Sequence, residues 1–184
     1  YPNGVKINKK INKRILNNKY IIFSGSYFYK PNKIAVDFLN ETLMPGLIKK
    51  VPNLKLVITG GGYKKKFPWL IDKKIVSKDV LYNLISFAAC MCVPLEFGSG
   101  TRIKIIEALM LGCPVLSTKK GIEGINISKK TAPFISKIEK FPNHILFILN
   151  NEKKLKFKAN KSKQYFKNLY SMENITKVFL KKIT

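Results

Sequence analysis

At 184 residues the chain is long enough for one good core and short for two, and 46% hydrophobic with 11% aromatic residues rules out a disordered chain. Lys and Arg number 35 against 10 Asp and Glu, a net charge of +25, yet only Arg14 and Arg102 are arginines; the excess is lysine of the kind a biased composition yields, not the forked guanidinium pattern of a phosphate-reading surface. Three cysteines without a C-x-x-C pair and a lone, distant His144 argue against a zinc site, and no apolar run approaches a membrane span, so a reducing, cytoplasmic setting is expected, with contact to an anionic membrane surface left open.

Residues 1–19 open on the turn sequence Tyr1-Pro2-Asn3-Gly4 and continue with six cations and no acid, which reads as an interdomain linker arriving from upstream. Tyr20 to Phe23 is a short apolar run stopped by Ser24-Gly25-Ser26, the pattern of a buried parallel strand entering a tight turn. Pro31 suits a first helical turn, and Ile34, Ala35, Phe38, Leu39 and Leu43 keep helical spacing until Pro45. Leu54 to Thr59 reads as a second strand, running into Gly60-Gly61-Gly62. Ile75-Val76 is a weak third strand, and Asp79 to Phe87 a short helix with Val80, Leu84 and Phe87 on one face.

Ala88 to Val93, ended by Pro94, then Pro114 to Ser117, then Ala132 to Ile135 complete the expected strands. From Phe141 the chain turns helical over Phe141 to Leu149, Glu152 to Leu169 and Met172 to Lys182, and residues 151–184 carry ten lysines against two acids. The alternation predicts an α/β, Rossmann-like three-layer domain over residues 20–150, with a parallel sheet of about six strands flanked by helices. C-terminal helices over 151–184 are expected to pack on it. In such sheets ligands sit beyond the carboxyl ends of the strands.

The stretch from Glu96 to Leu109 holds most of the candidate binding residues. A glycine- and hydroxyl-rich loop, Gly98-Ser99-Gly100-Thr101, runs into a helix apolar on nearly every side, whose charges after Arg102 are Lys104 and Glu107, three residues apart and so on one face. Free N–H groups at the positive end of a helix dipole suit an anion. Glu107 is then placed to bind something neutral beside it.

The run Gly98-Ser99-Gly100-Thr101-Arg102-Ile103-Lys104-Ile105-Ile106-Glu107-Ala108-Leu109, followed by Gly112-Cys113-Pro114-Val115-Leu116-Ser117-Thr118 and Gly121-Ile122-Glu123-Gly124, resembles the C-terminal, donor-binding domain of the family-four retaining glycosyltransferases of GT-B fold. Pro2-Asn3-Gly4-Val5, Pro31-Asn32, Leu56-Val57-Ile58-Thr59-Gly60-Gly61-Gly62 and Tyr170-Ser171-Met172-Glu173 extend the likeness over essentially the whole chain. The resemblance implies a nucleotide-diphosphate sugar as donor. Glu107 would hold the ribose hydroxyls; Gly100 and Thr101, in the loop begun by Gly98 and Ser99, would offer N–H groups to the diphosphate; and Arg102 and Lys104 would stabilise it as a leaving group. Gly25 and Ser26 fall where the family's phosphate loop approaches the donor, with Lys30 as a further cation.

One departure is that the family's usual first glutamate, separated from the second by seven intervening residues, is replaced here by Ser99, while Glu96 lies eleven positions before Glu107. Glu96 is the candidate to orient the sugar, and Glu123, between two glycines, a candidate to line the cleft. The resemblance further implies no cofactor and no metal, an acceptor (glycan, lipid or protein) held by an N-terminal domain outside this chain, and little transfer by this chain alone. The rival classes are a non-catalytic scaffold of the same fold and a basic nucleic-acid or membrane-surface module. The second needs aromatics interleaved with cations on an exposed sheet, whereas Tyr27, Phe28 and Tyr29 form one short cluster, so nucleic acid is not expected as a partner.

Overall fold

Strand β1 (Tyr20–Ser24) is buried at all five positions, as a strand covered on both faces must be, and it lies inside the sheet between two parallel neighbours. The structure, a computed structural model, describes residues 4–7, 14–99, 102–127 and 134–183. With β2 (Lys55–Thr59), β3 (Leu70–Asp72), β4 (Cys90–Val93), β5 (Val115–Ser117) and β6 (Phe134–Ile135) it forms a six-stranded sheet in the order β3-β2-β1-β4-β5-β6. Every pairing is parallel. This is the Rossmann-like α/β fold expected from the sequence. The strand order reverses between β1 and β4, which opens a crevice beyond their carboxyl ends.

Helix α1 (Lys30–Asp37) runs through a π-helical stretch, Phe38–Leu43, directly into α2 (Met44–Lys50). Pro45 therefore does not end the helix where the sequence suggests a stop. The wider π turn places the proline in the first turn of α2, where the missing N–H is not required. Buried Asn40 is tied down inside the wide turn by donating through Nδ2 to the Val36 carbonyl at 3.2 Å.

Two further expectations are corrected. The third strand is Leu70–Asp72, with Leu56, Val57 and Ile58 opposite Leu70, Ile71 and Asp72, and not Ile75-Val76. The Asp72 carboxylate accepts from the Lys74 N–H at 2.9 Å and Lys74 adopts a φ of 55°, a side-chain-closed turn that takes the chain out of the sheet and leaves Ile75 83% exposed. In α3 (Lys78–Phe87), which starts at Ser77 with its hydroxyl accepting from the Val80 N–H, the buried face is Tyr82, Leu84 and Ile85, while Val80 is 37% exposed.

Helix α4 (Ile103–Leu111) is buried from Ile105 to its end and closes on Gly112 in the left-handed conformation, φ 75°. The chain continues through α5 (Phe141–Asn150), α6 (Glu152–Tyr170) and α7 (Met172–Ile183). Helix α6 lies along α4 and inserts Phe166, which is fully buried, while the Tyr170 hydroxyl accepts from the Asn126 N–H at 2.6 Å. Near the start of the chain Val5 is buried in a parallel bridge to Ser171, between α6 and α7. Cys90, Cys92 and Cys113 are free and buried; burial pushes the Cys113 thiol up to about 12, so these thiols act as small hydrophobes. Among the described residues no helix is long and apolar enough to cross a membrane.

The α4–α6 contact makes a direct prediction. Phe166→Ala should lower unfolding stability by about 3–5 kcal/mol in urea denaturation, whereas Phe157→Ala, on the same helix but 62% exposed, should stay within about 0.5 kcal/mol of wild type.

Candidate functional site

The turn after β1 and the start of α4 meet at the crevice. The Gly25 N–H donates to Thr59 O at 2.9 Å and the Tyr27 N–H to Gly61 O at 3.1 Å, so the turns after β1 and β2 are stitched together. The approach is close enough that a Cβ on Gly60 would fall 2.7 Å from the Ser26 nitrogen. Gly25 itself has a φ of 148°, and a Cβ there would lie 2.6 Å from both Asn32 Nδ2 and Lys104 Nζ. Glycine at this turn makes room for the lysine that arrives from α4.

The Lys104 ammonium is held by neutral groups. It donates to Asn32 Oδ1 at 2.8 Å and lies 4.2 Å from the centroid of the Phe23 ring. Asn32 in turn donates through Nδ2 to the Ser26 carbonyl at 2.9 Å, which fixes its orientation. No carboxylate pairs with Lys104 among the described residues. Burial, with a smaller contribution from the nearby Arg102 charge, brings the lysine down to about 7.

Arg102 stands at the N-cap of α4, and its own side chain does not cap the helix. Its guanidinium reaches back into the preceding loop, Nη2 donating to Gly98 O at 2.9 Å and Nη1 to Ser99 O at 3.2 Å, with a longer contact from Nη2 to Lys120 O at 3.4 Å. Its Nε is buried and has no hydrogen-bond partner among the described residues. The loop is also tied to the first turn, since the Tyr29 hydroxyl donates to Ser99 O at 3.4 Å. Gly100 and Thr101, expected to face the diphosphate, lie outside the described residues.

One helical turn beyond Lys104, Glu107 is buried and accepts from the Tyr82 hydroxyl at 3.1 Å through Oε1. Burial raises its carboxyl above the usual range, opposed by the Tyr82 hydrogen bond and the Lys78 charge. Of the other expected residues, Ser26 and Lys30 are exposed on the same side, at the turn after β1 and the start of α1. Glu96 is exposed and lines a separate open groove with Thr118, Lys119, Lys120 and Ser136 that Lys104 and Glu107 do not share. Glu123 is exposed and paired with Lys120 at 2.6 Å. Asn32 and Tyr82 were missed as site residues; a buried asparagine one residue after a helix-opening proline and a tyrosine amid apolar helix positions were the available signals.

The domain is thus a Rossmann-like α/β sheet with a half-buried lysine and a buried glutamate on the helix that starts at its switch point. The chain belongs to the family described as glycosyl transferases group 1, whose model matches residues 18–151. No curated protein sequence matches it.

Among solved structures, TarM of S. aureus in complex with fondaparinux, alpha-GlcNAc-glycerol and UDP is similar at TM-score 0.69 and 18% identity, covering 94% of this chain and 37% of that one. The C-terminal domain of LpcC, a glycosyl transferase group 1 family protein from Francisella tularensis, is similar at TM-score 0.62 and 14% identity, over 84% of this chain and 87% of that one. Anabaena HepE in complex with UDP-glucose is similar at TM-score 0.65 and 15% identity, over 91% and 49%. These likenesses are of fold, and the chain spans little more than a third of TarM.

Lys104 has a pH signature. The unfolded lysine keeps its proton to about pH 10.5 while the folded one releases it near 7, so the unfolded state binds more protons between these values and stability rises with pH across that window. In phosphate-free buffer, Lys104→Met should therefore be stabilising by roughly 2 kcal/mol at pH 6, with the gain fading toward pH 10. A gain that does not change with pH in urea titrations would contradict a half-buried lysine held by neutral groups without a carboxylate partner.

Proposed function

We propose that the chain is the donor-binding half of a glycosyltransferase and holds the nucleotide of a nucleotide-diphosphate sugar in the crevice between β1 and α4. The observation that carries this is the pair Lys104 and Glu107: one helix presents a half-buried cation and a buried carboxylate at the switch point, neither in an ion pair among the described residues. Groups held at such cost are suited to a ligand that is anionic at one end and rich in hydroxyls at the other. The UDP and UDP-glucose complexes of TarM and HepE support the same choice of ligand.

In this reading Glu107 accepts from the ribose hydroxyls, and the diphosphate lies against Lys104, Gly25 and Ser26, over the N–H groups of the α4 N-terminus and of Gly98 to Thr101. Lys30 adds long-range attraction from the rim. Substitution at the anomeric carbon, with retention of configuration, breaks the bond to the β-phosphate oxygen. The charge that develops there is met by Lys104 directly and by Arg102, which holds the Gly98 and Ser99 carbonyls back so that the loop's N–H groups can point the other way. No metal is required in this scheme. Glu96 would reach the sugar only from its own groove, and the acceptor belongs to a part of the enzyme outside this chain, which alone transfers little or nothing.

The test is a calorimetric panel of UDP, GDP, ADP and CDP. One of the four should bind; Glu107→Gln should weaken it by about 10-fold to 100-fold, and Lys104→Met should reduce its affinity to that of the matching monophosphate. Absence of binding by all four, or indifference to both substitutions, overturns the proposal.

A further inference from the structure

We infer that Tyr82 positions Glu107 and couples it to the leading segment of the chain, residues 4–7; this rests on the reading of Glu107 as the ribose acceptor. Tyr82 is buried on the inner face of α3, and its hydroxyl stands between two acceptors, Glu107 Oε1 at 3.1 Å and the Lys6 carbonyl at 3.4 Å. A phenol has one proton to give. It serves one of these oxygens at a time, and the nearer one is the carboxylate.

The second acceptor is not free to wander. Val5, next to Lys6, is buried; its N–H donates to Tyr170 O at 2.8 Å and its carbonyl accepts from the Met172 N–H at 3.3 Å. A Cβ on Gly4 would meet Met172 Sδ at 2.8 Å, so the segment is seated directly on the α6–α7 junction. The Lys6 carbonyl is thus held at a fixed place relative to Tyr82, and a shift of residues 4–7 changes how the phenol proton is divided.

When the proton goes to Glu107, it fixes the carboxylate's rotamer and favours its ionised state against the burial that opposes it. Oε2, which no described residue hydrogen-bonds, is left for incoming hydroxyls. When the proton goes to Lys6, Glu107 loses that support. Tyr82 acts through Glu107 and not on the diphosphate, so its effect is confined to the ribose half of the ligand.

The experiment compares wild type, Tyr82→Phe and Glu107→Gln in calorimetric titrations with the nucleoside diphosphate selected by the four-member panel and with inorganic pyrophosphate, which lacks the ribose. Tyr82→Phe should weaken the nucleotide about fivefold to tenfold and leave pyrophosphate unchanged. It should also move the acid limb of nucleotide binding to higher pH, since Tyr82 and Lys78 of α3 are the groups that keep Glu107 ionised. A loss shared equally by nucleotide and pyrophosphate, or no loss, overturns the assignment. Val5→Ala, which loosens the segment without touching Tyr82, decides the coupling even if Tyr82→Phe does not fold: it should change nucleotide affinity and spare pyrophosphate, and equal effects on both, or none, overturn the link. If no nucleotide binds wild type, the donor reading fails and this inference with it; if Glu107→Gln loses affinity and Tyr82→Phe does not, only the inference fails.

Discussion

The structure turns on two charges carried by its most deeply buried helix. Removing an ammonium and a carboxylate from water costs several kcal/mol each unless the protein returns the lost hydrogen bonds. Here they are returned by neutral groups: Asn32 and the Phe23 ring for Lys104, the Tyr82 hydroxyl for Glu107. An ion pair would have been the cheaper solution for a purely structural helix, and none forms among the described residues. Gly25, Asn32 and Tyr82 come from three different elements, and each is arranged around one of these two side chains.

The sheet explains why the charges can be where they are. Because the order reverses between β1 and β4, no crossover helix covers the carboxyl ends of those strands, and α4 starts in the gap. The turns after β1 and β2 are drawn together by backbone hydrogen bonds from Gly25 and Tyr27, with no room for side chains at Gly25 or Gly60. The result is a tight backbone floor against which a lysine from another element can rest. Helix α6, with Phe166 buried, packs along α4 on the side away from that floor and so fixes its height.

What the sequence displayed follows from range. β1, β2, β4 and β5 were legible because a strand covered on both faces is a continuous apolar run bounded by turn residues. β3 was not, because a three-residue edge strand has too little pattern, and the signal that ends it is the Asp72 side chain closing a turn two residues on. Pro45 misled because the π turn that accommodates it is a local change in winding with no residue signature of its own. In the site, Lys104 and Glu107 stood out as the charges of an apolar helix, but their partners Asn32 and Tyr82 lie 72 and 25 residues away, a pairing that only the fold supplies. Glu96 shows the converse: its position next to the loop suggested a role beside Glu107, and the loop path turns it toward the β5 and β6 side.

The acids around the crevice sharpen the electrostatic point. Glu96 and Glu123 are exposed, and Glu123 is occupied by Lys120, whose ammonium holds its carboxyl below the usual range. Neither has an ion pair with Arg102 or Lys104. The two cations, two residues apart at the start of α4, each raise the cost of the other's charge, and the helix dipole there has the same sign. A net charge of +25 spread over a lysine-rich surface is screened within about 10 Å at ordinary salt. The field at the start of α4 is therefore the local one, set by buried Arg102, half-buried Lys104 and the helix N-terminus, with the Glu123 carboxylate near enough to feel the Arg102 charge; under the proposed function this is the end of the site that takes the diphosphate.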